Sequence, residues 1–167
     1  MKLVIGSDHG GFVLKEQLVA FLKEQGHAVL DFGTHTEAAV DYPDYAFLVA
    51  AAIASGEADR GIIVDGAGIG SSIVANKVPG IRAALANDLF AAKNCRAHND
   101  ANVLTLGGRI ICIGLAQEIV KIFVTTPFEA RHQARIDKIS EFERDILRAA
   151  AGGTGSRNGS LSGATVR

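Results

Sequence analysis

The chain has 167 residues, of which 48% are hydrophobic and only 6% aromatic, and its formal net charge is −1. This length suffices for one domain with a substantial core. The interspersed charges exclude the basic stripe that usually marks a nucleic-acid-binding protein.

The two cysteines, Cys95 and Cys112, are too few for a disulfide framework, so we expect a reducing, cytoplasmic environment. Both are expected to be small core residues rather than nucleophiles. The first residues lead straight into a strand pattern without the features of a signal peptide. No apolar run approaches the ~18 residues that would span a membrane, so we expect no membrane contact.

Apolar runs alternate with helical patterns along the chain. Strands are predicted over 3–7, 28–32, 60–64, 81–86 and 103–106. Helices are predicted from Phe12 to just before Gly26, then over 43–55, 71–77, 88–96 and 115–124, and an amphipathic helix follows Pro127. In the first of these helices, Lys15 is expected on the solvent face.

Strands that alternate with helices at short spacing indicate a parallel sheet covered on both faces. The predicted fold class is α/β, with a three-layer α/β/α arrangement, a five-stranded parallel Rossmann-like sheet and a C-terminal helix. Residues 1–148 would form the domain. Residues 149–167 are dominated by small and polar side chains and are expected to form a flexible Gly/Ser-rich tail.

A glycine-rich turn after the third strand is the strongest local signal. Asp65 ends the strand, Gly66, Gly68 and Gly70 follow, and a helical pattern begins at Ser71. Glycines let the main chain approach a ligand closely, and unpaired N–H groups at a helix start favour anionic oxygen. The turn therefore suits a phosphorylated metabolite or a developing oxyanion.

Two histidine-containing segments lie near predicted strand ends, where ligands bind in such sheets. Asp8 could orient a sugar hydroxyl while His9 contacts a phosphate; alternatively, Asp8 caps the first helix and His9 is a surface residue. His98 could act as an acid or base near neutral pH, and Asn99 could donate to an oxyanion. The alternative for that pair is a helix-capping loop.

Arg131 and Arg135 are four residues apart and would share one face if they are helical. Two guanidinium groups suit a phosphate, although a solvated basic face is the alternative. Arg109, which follows two glycines, is a weaker candidate. No group of residues has metal-ligand spacing, so we predict no metal.

Five motifs in one order give the sequence a specific resemblance over residues 1–148. It resembles the type B ribose-5-phosphate isomerases, a family that includes the galactose-6-phosphate isomerase subunits. The motifs are Gly-Ser-Asp-His-Gly-Gly at 6–11, Asp-Tyr-Pro at 41–43, the three glycines that lead into Ala-Asn-Lys at 75–77, His-Asn-Asp-Ala-Asn at 98–102, and Arg-His-x-x-Arg at 131–135.

The resemblance implies a three-layer α/β/α fold and a homodimer or homotetramer whose sites are shared between subunits. It also implies aldose–ketose isomerisation of a sugar phosphate through an enediolate, with ribose 5-phosphate and ribulose 5-phosphate as the expected pair and no metal or organic cofactor. Asp8 would hold the sugar, His98 would assist ring opening, and Tyr42 would line the pocket. Backbone N–H groups of Gly66 to Gly70, with Asn99, would stabilise the enediolate. Phosphate would be bound by His9, Arg109, Arg131, His132 and Arg135.

The sequence departs from the family at the catalytic base. Many members have Cys at the position of Asp65 and a Thr or Ser at that of Ala67, and others use a Glu at the position of Ser71. A carboxylate is a weaker base than a thiolate, but carboxylates do serve as enolising bases in isomerases. We therefore expect Asp65 to transfer the proton, and Ser71 stays among the catalytic candidates.

Two other functions remain open from the sequence. The chain could be a sugar-phosphate-binding or partner subunit that has lost catalysis, or an isomerase of another sugar phosphate. A nucleotide-binding module is a weak third reading, because the glycine spacing fits neither the dinucleotide nor the Walker pattern.

Overall fold

The computed structural model of the chain describes residues 1–152, so the part of the expected tail at 153–167 lies outside the described residues. Five strands form one sheet: β1 (Lys2–Ser7), β2 (Ala28–Asp31), β3 (Arg60–Asp65), β4 (Ala83–Leu85) and β5 (Val103–Gly107). Their order is β2-β1-β3-β5-β4, and every neighbouring pair is parallel. The predicted five-stranded parallel sheet is confirmed.

Helices follow or connect these strands. They are α1 (Phe12–Glu24), α2 (Tyr42–Ala54), α3 (Ile69–Ala75), α4 (Leu89–Ala97), α5 (Ile113–Thr125) and α6 (Gln133–Gly152), and a 3-10 turn spans Ala130–His132. Residues 1–132 form one compact unit, which holds the whole sheet, and a second unit begins at Gln133 with α6. The C-terminal helix is thus confirmed, and residues 149–152 form its last turn.

Side chains of each strand alternate between two apolar layers. Leu3 and Ile5 of β1 pack with α1, α4 and α5, whereas Val4 packs with α2 and α3. The same alternation places Ile62 in the first layer and Ile63 in the second. The sheet of the first unit is therefore covered on both faces, as the three-layer prediction requires.

Lys15 does not lie on the solvent face as expected. Its side chain is fully buried, and Nζ lies 2.7 and 2.8 Å from the two carboxylate oxygens of Asp31 and 2.6 Å from Glu16. The ammonium group also lies over the ring of Phe12. The helical pattern failed here because a Lys can be buried when its charge is paired, which periodicity alone does not reveal.

Several boundaries differ from the prediction for local reasons. β4 is shorter than 81–86, and α3 ends at Ala75 rather than Lys77, because the side chain of Asn76 bonds the backbone N–H and C=O of Ala83.

Cys95 is buried as expected, but Cys112 is exposed where α5 begins, so its core assignment is wrong.

Candidate active site

The loops after β1, β3 and β5 meet at one edge of the sheet. Ser7 is in register with Val64, and Asp65 with Gly107, so the carboxyl ends of these three neighbouring strands are level. The chain runs outward from β1 to β2 on one side and from β3 to β4 on the other. Ligands in open parallel sheets bind at such a switch point, and Asp8 and Asp65 stand there.

Glycines allow these loops to pack main chain against main chain. A Cβ at Gly11 would lie 2.1 Å from the carbonyl oxygen of Val64, and one at Gly108 would lie 2.8 Å from the carbonyl oxygen of Gly10. Gly68 has φ of 79°, a conformation that side chains disfavour. The glycine-rich motifs are therefore required by the close approach of the three loops.

Asp65 is buried, and its carboxylate accepts hydrogen bonds from its own loop. Oδ1 accepts from the N–H of Ala67 at 2.8 Å and also from that of Gly68, and Oδ2 accepts from the N–H of Ser71 at 2.9 Å. The Thr105 hydroxyl fixes the same loop by donating to the carbonyl of Gly68 at 2.9 Å. Asp65 thus holds the turn in shape and stands at the start of α3.

This arrangement corrects one part of the predicted oxyanion site. The N–H of Gly68 was expected to stabilise the enediolate, but it donates to Asp65 instead. Within residues 1–152, the N–H groups of Gly66 and Gly70 have no internal hydrogen-bond partner. The hydroxyl of Ser71 is also buried without a partner among the described residues.

Asp8 makes the capping-type contact that one of the two alternatives predicted. Its Oδ1 accepts from the N–H of Gly11 at 3.0 Å, which is the capping-type contact at the start of α1. A Cβ placed on Gly10 would lie 3.3 Å from both Asp8 Oδ1 and the N–H nitrogen of Gly66. The carboxylate therefore caps its own loop and also lies beside the glycine turn.

Three more predicted site residues surround the same loops. The ring of Tyr42 lies against Gly70, where a Cβ would come within 2.6 Å of it, and the side chain of Arg109 lies beside Gly66. His9 Nδ1 lies 3.2 Å from the carbonyl oxygen of Val40, which ties the loop before α2 to the loop after β1. Tyr42 and Arg109 thus lie beside the glycine turn that follows Asp65, and His9 lies against the loop before α2.

His98 and His132 form a second group at the end of α4 and the 3-10 turn. Their ring centroids are 4.2 Å apart, and His132 is buried. Glu129, which the sequence analysis missed, lies between them: its Oε2 is 4.0 Å from His98 Nε2 and 3.7 Å from His132 Nε2. Its backbone N–H donates to the carbonyl of Ala97 at 2.9 Å. The acidic residue two positions before Arg131 was the signal that could have revealed it.

Arg131 completes this group through Glu129. Arg131 Nε and one terminal nitrogen lie 2.7 and 2.6 Å from Glu129 Oε2. The pKa of the Glu129 carboxyl is lowered, first by the hydrogen bond from Arg131 and then by the charges of Arg131, His98 and His132. The carboxylate is thus surrounded by groups that favour its ionised form.

Arg131, Arg135 and Asn99 lie outside the loops that surround Asp65 in the sequence. Arg131 lies in the 3-10 turn and Arg135 in α6, so the pair does not occupy one face of a continuous helix. Asn99 is exposed at the end of α4, where its carbonyl accepts from Arg82 Nε at 3.1 Å.

Among residues 1–152, side chains that could hold a cation come together in two places, although their spacing in the sequence did not predict a metal. Donor atoms of His98, Glu129 and His132 lie within 4.8 Å of one another, and so do those of Glu16, Asp31 and His35. In each group a cationic side chain is already bonded to the carboxylate, Arg131 to Glu129 and Lys15 to Asp31. Neither group therefore offers an uncompensated set of ligands.

None of the helices in the described part of the chain is long and apolar enough to cross a membrane. The family model described as Ribose/Galactose Isomerase matches residues 3–139. The chain is 44% identical over 144 residues to ribose-5-phosphate isomerase B of Escherichia coli, covering 86% of this chain and 97% of the relative.

Solved structures of ribose-5-phosphate isomerase B are also similar to this chain. Ribose-5-phosphate isomerase B of Clostridium thermocellum has 50% identity and a TM-score of 0.86, over 87% of this chain and 99% of that one. The enzyme of Thermotoga maritima has 50% identity and a TM-score of 0.82, over 84% and 97%. These findings confirm the predicted resemblance, the fold and a sugar-phosphate isomerase. The chain belongs to the Ribose/Galactose Isomerase family.

Proposed function

We propose that the chain interconverts ribose 5-phosphate and ribulose 5-phosphate through a cis-enediolate. The relatives named above carry the name of that reaction. The observation that carries the proposal is the placement of two carboxylates, Asp8 and Asp65, beside one glycine turn at the switch point of the sheet. One carboxylate can bind the sugar while the other moves a proton.

Asp65 is the proposed base for the proton transfer. It takes the proton from C2 of the open-chain aldose and returns it to C1, while the proton of the C2 hydroxyl passes to the C1 oxygen, so that C2 becomes the ketone and C1 the alcohol carbon. The electrons stay within the substrate, and the reaction needs no cofactor. The two bonds to Oδ1 and the one to Oδ2 orient the carboxylate, and Oδ2 keeps the larger share of its acceptor capacity.

Other residues take the roles that the family resemblance implies. Asp8 holds a sugar hydroxyl, and His98 transfers a proton during ring opening. The N–H groups of Gly66 and Gly70, with Asn99, donate to the enediolate oxygen. Tyr42 lines the pocket, and Ser71 supports Asp65 through its N–H. The phosphate is bound by cationic or donor side chains, namely His9, Arg109, Arg131, His132 and Arg135.

A homodimer or homotetramer with sites shared between subunits is part of the proposal, in a cytoplasmic setting. The supporting observation is an apolar surface on α2 and α3, where Phe47, Leu48, Ile69 and Ile73 are exposed. Exposed apolar patches of this kind mark interfaces. Tyr42 and Gly70 are in contact on the same two helices, so the surface adjoins the candidate site.

The test is turnover of a panel of aldose phosphates by the pure protein and by Asp65→Asn. The panel contains ribose 5-phosphate and tetrose, deoxyribose and hexose phosphates. We expect ribose 5-phosphate to be the best substrate and the variant to lose about 10²–10⁴-fold in kcat, the usual contribution of a base. A better substrate elsewhere in the panel would replace ribose 5-phosphate, and an Asp65→Asn enzyme with full activity would remove Asp65 from the mechanism.

A second candidate is a sugar-phosphate-binding or partner subunit without catalysis of its own. It is favoured by the three N–H groups that bond Asp65, because they give this carboxylate a structural role that needs no chemistry. Calorimetry separates the two candidates: tight binding of sugar phosphate without turnover of any panel member supports this second function.

A further inference from the structure

One oxygen atom of Glu129 stands at the centre of the second group of site residues. Arg131 contacts Oε2 with two nitrogens at 2.6 and 2.7 Å, and imidazole nitrogens of His132 and His98 lie 3.7 and 4.0 Å away. Three cationic or protonatable side chains from two elements thus converge on a single anionic atom. A site built this way binds an anion, and in this structure the chain supplies that anion itself.

The Glu129 carboxylate is bound only weakly by these side chains. The side chain of Glu129 is 42% exposed and that of Arg131 69% exposed, so solvent reaches the ion pair. Exposed ion pairs contribute little free energy. A phosphate can offer Arg131 a bidentate pair of oxygens and carries up to two charges, whereas Glu129 offers one oxygen and one charge. A phosphate group can therefore compete for the same donors.

We propose that Glu129 is an internal competitor for the phosphate-binding side chains Arg131 and His132, and that a phosphate group binds by displacing its carboxylate. The proposal rests on the proposed function, since it assigns the phosphate of the substrate to this group of residues. It adds a residue that sets the affinity of the site: Glu129 keeps Arg131 ordered in the free protein and weakens phosphate binding by occupying it.

The test is calorimetric binding of inorganic phosphate to the wild type and to Glu129→Gln. The amide keeps the shape and the backbone bond to Ala97 but removes the competing charge. We expect Glu129→Gln to bind phosphate about three- to tenfold more tightly, the range of one partly exposed ion pair. Unchanged or weaker binding overturns the proposal.

Glu118→Gln is the matched control, because Glu118 is exposed on α5 and the substitution makes the same change in net charge. It should change phosphate binding by less than about twofold at physiological salt, where distant surface charges are screened. If both variants tighten binding equally, the effect is a general one of charge and the proposal is wrong.

A double-mutant cycle with Arg131→Ala completes the test. The gain from Glu129→Gln should shrink in the Arg131→Ala background, because the donor for which Glu129 competes is gone. An equal gain in both backgrounds contradicts the proposal, and so does the absence of phosphate binding in every variant. Phosphate binding can be measured without turnover. If the wild type is inactive but Glu129→Gln still binds phosphate more tightly than the wild type does, the isomerase function is refuted and this inference stands.

Discussion

Asp65 has consequences for stability as well as for chemistry. Replacement by Asn keeps an acceptor for the N–H groups of Ala67 and Gly68 but presents an amide donor to the N–H of Ser71. A buried donor left without an acceptor costs about 1–3 kcal/mol. We therefore expect Asp65→Asn to lower the free energy of unfolding in urea by about that amount.

Glu118→Gln again serves as the control for that measurement, since an exposed change of this kind usually stays within about 0.5 kcal/mol. Equal stability of Asp65→Asn and the wild type would show that the carboxylate does not hold the turn. The activities of the wild type and Asp65→Asn should be compared at temperatures where both proteins are folded. A loss of activity through unfolding is then not mistaken for the loss of a catalytic group.

The two cysteines should differ sharply in reactivity. Burial raises the pKa of the Cys95 thiol to about 11, so it is protonated at neutral pH, whereas Cys112 is exposed. The thiolate is the reactive form. With a disulfide reagent at pH 8, one thiol per chain should react quickly in the native protein and two in denaturant. Cys112→Ser should abolish the fast phase, and a fast phase that persists in that variant would contradict the buried placement of Cys95.

At the scale of elements, Lys15 connects α1 to the end of β2. Its buried ammonium pairs with Asp31, which also accepts from the N–H of Gly33 and so shapes the loop that follows β2. Removing one partner of a buried pair leaves the other charge uncompensated. Because Asp31 is 21% exposed, we expect Lys15→Met to lower the free energy of unfolding by about 2–4 kcal/mol, somewhat less than for a fully buried pair.

The double variant Lys15→Met/Asp31→Asn should recover part of that loss, since the amide carries no charge and still accepts from Gly33. Urea unfolding of both variants provides the measurement. A single variant as stable as the wild type, or a double variant less stable than the single, would mean that the ion pair does not stabilise the junction between α1 and β2.

The type and order of the elements were predictable because each element of this fold has a clear pattern of apolar residues in the sequence. Strands buried on both faces appear as continuous apolar runs, and each is followed by a helical period. The failures were local: Asn76 ends α3 by bonding Ala83, and Lys15 is buried on a partner that is distant in sequence. Side-chain contacts between separate elements decided both, and periodicity does not contain them.

The residues of the candidate site also fall into those that the sequence could predict and those that it could not. Asp8, Asp65 and the glycines could be found because they follow strands whose ends must meet at one edge. Glu129 was missed: its position two residues before Arg131 is visible in the sequence, but its contact with His98 arises only when the turn at 129–132 folds onto the end of α4. The hydrogen bond from the N–H of Gly68 to Asp65 could not be predicted either, because residue spacing does not determine which way a carboxylate points within its own loop.

For the whole molecule, the exposed apolar surface of α2 and α3 predicts self-association. A charge placed on this surface should disrupt it, because an unpaired carboxylate is costly to bury. We expect light scattering to show a dimer or tetramer for the wild type and a monomer for Ile73→Asp, with turnover reduced in parallel if sites are shared. Ala20→Asp, an exposed change on α1, is the control. A monomeric wild type, or an unchanged assembly in Ile73→Asp, would contradict the shared-site proposal.

The central claim is that Asp65 transfers a proton within a phosphorylated sugar, and isotope exchange tests it most directly. Ribose 5-phosphate is incubated in deuterium oxide with the wild type or with Asp65→Asn, and deuterium at C1 of the ribulose 5-phosphate formed is followed by NMR. The account predicts incorporation with the wild type and a rate lowered by about 10²–10⁴-fold in the folded variant. Equal incorporation by both proteins would contradict it.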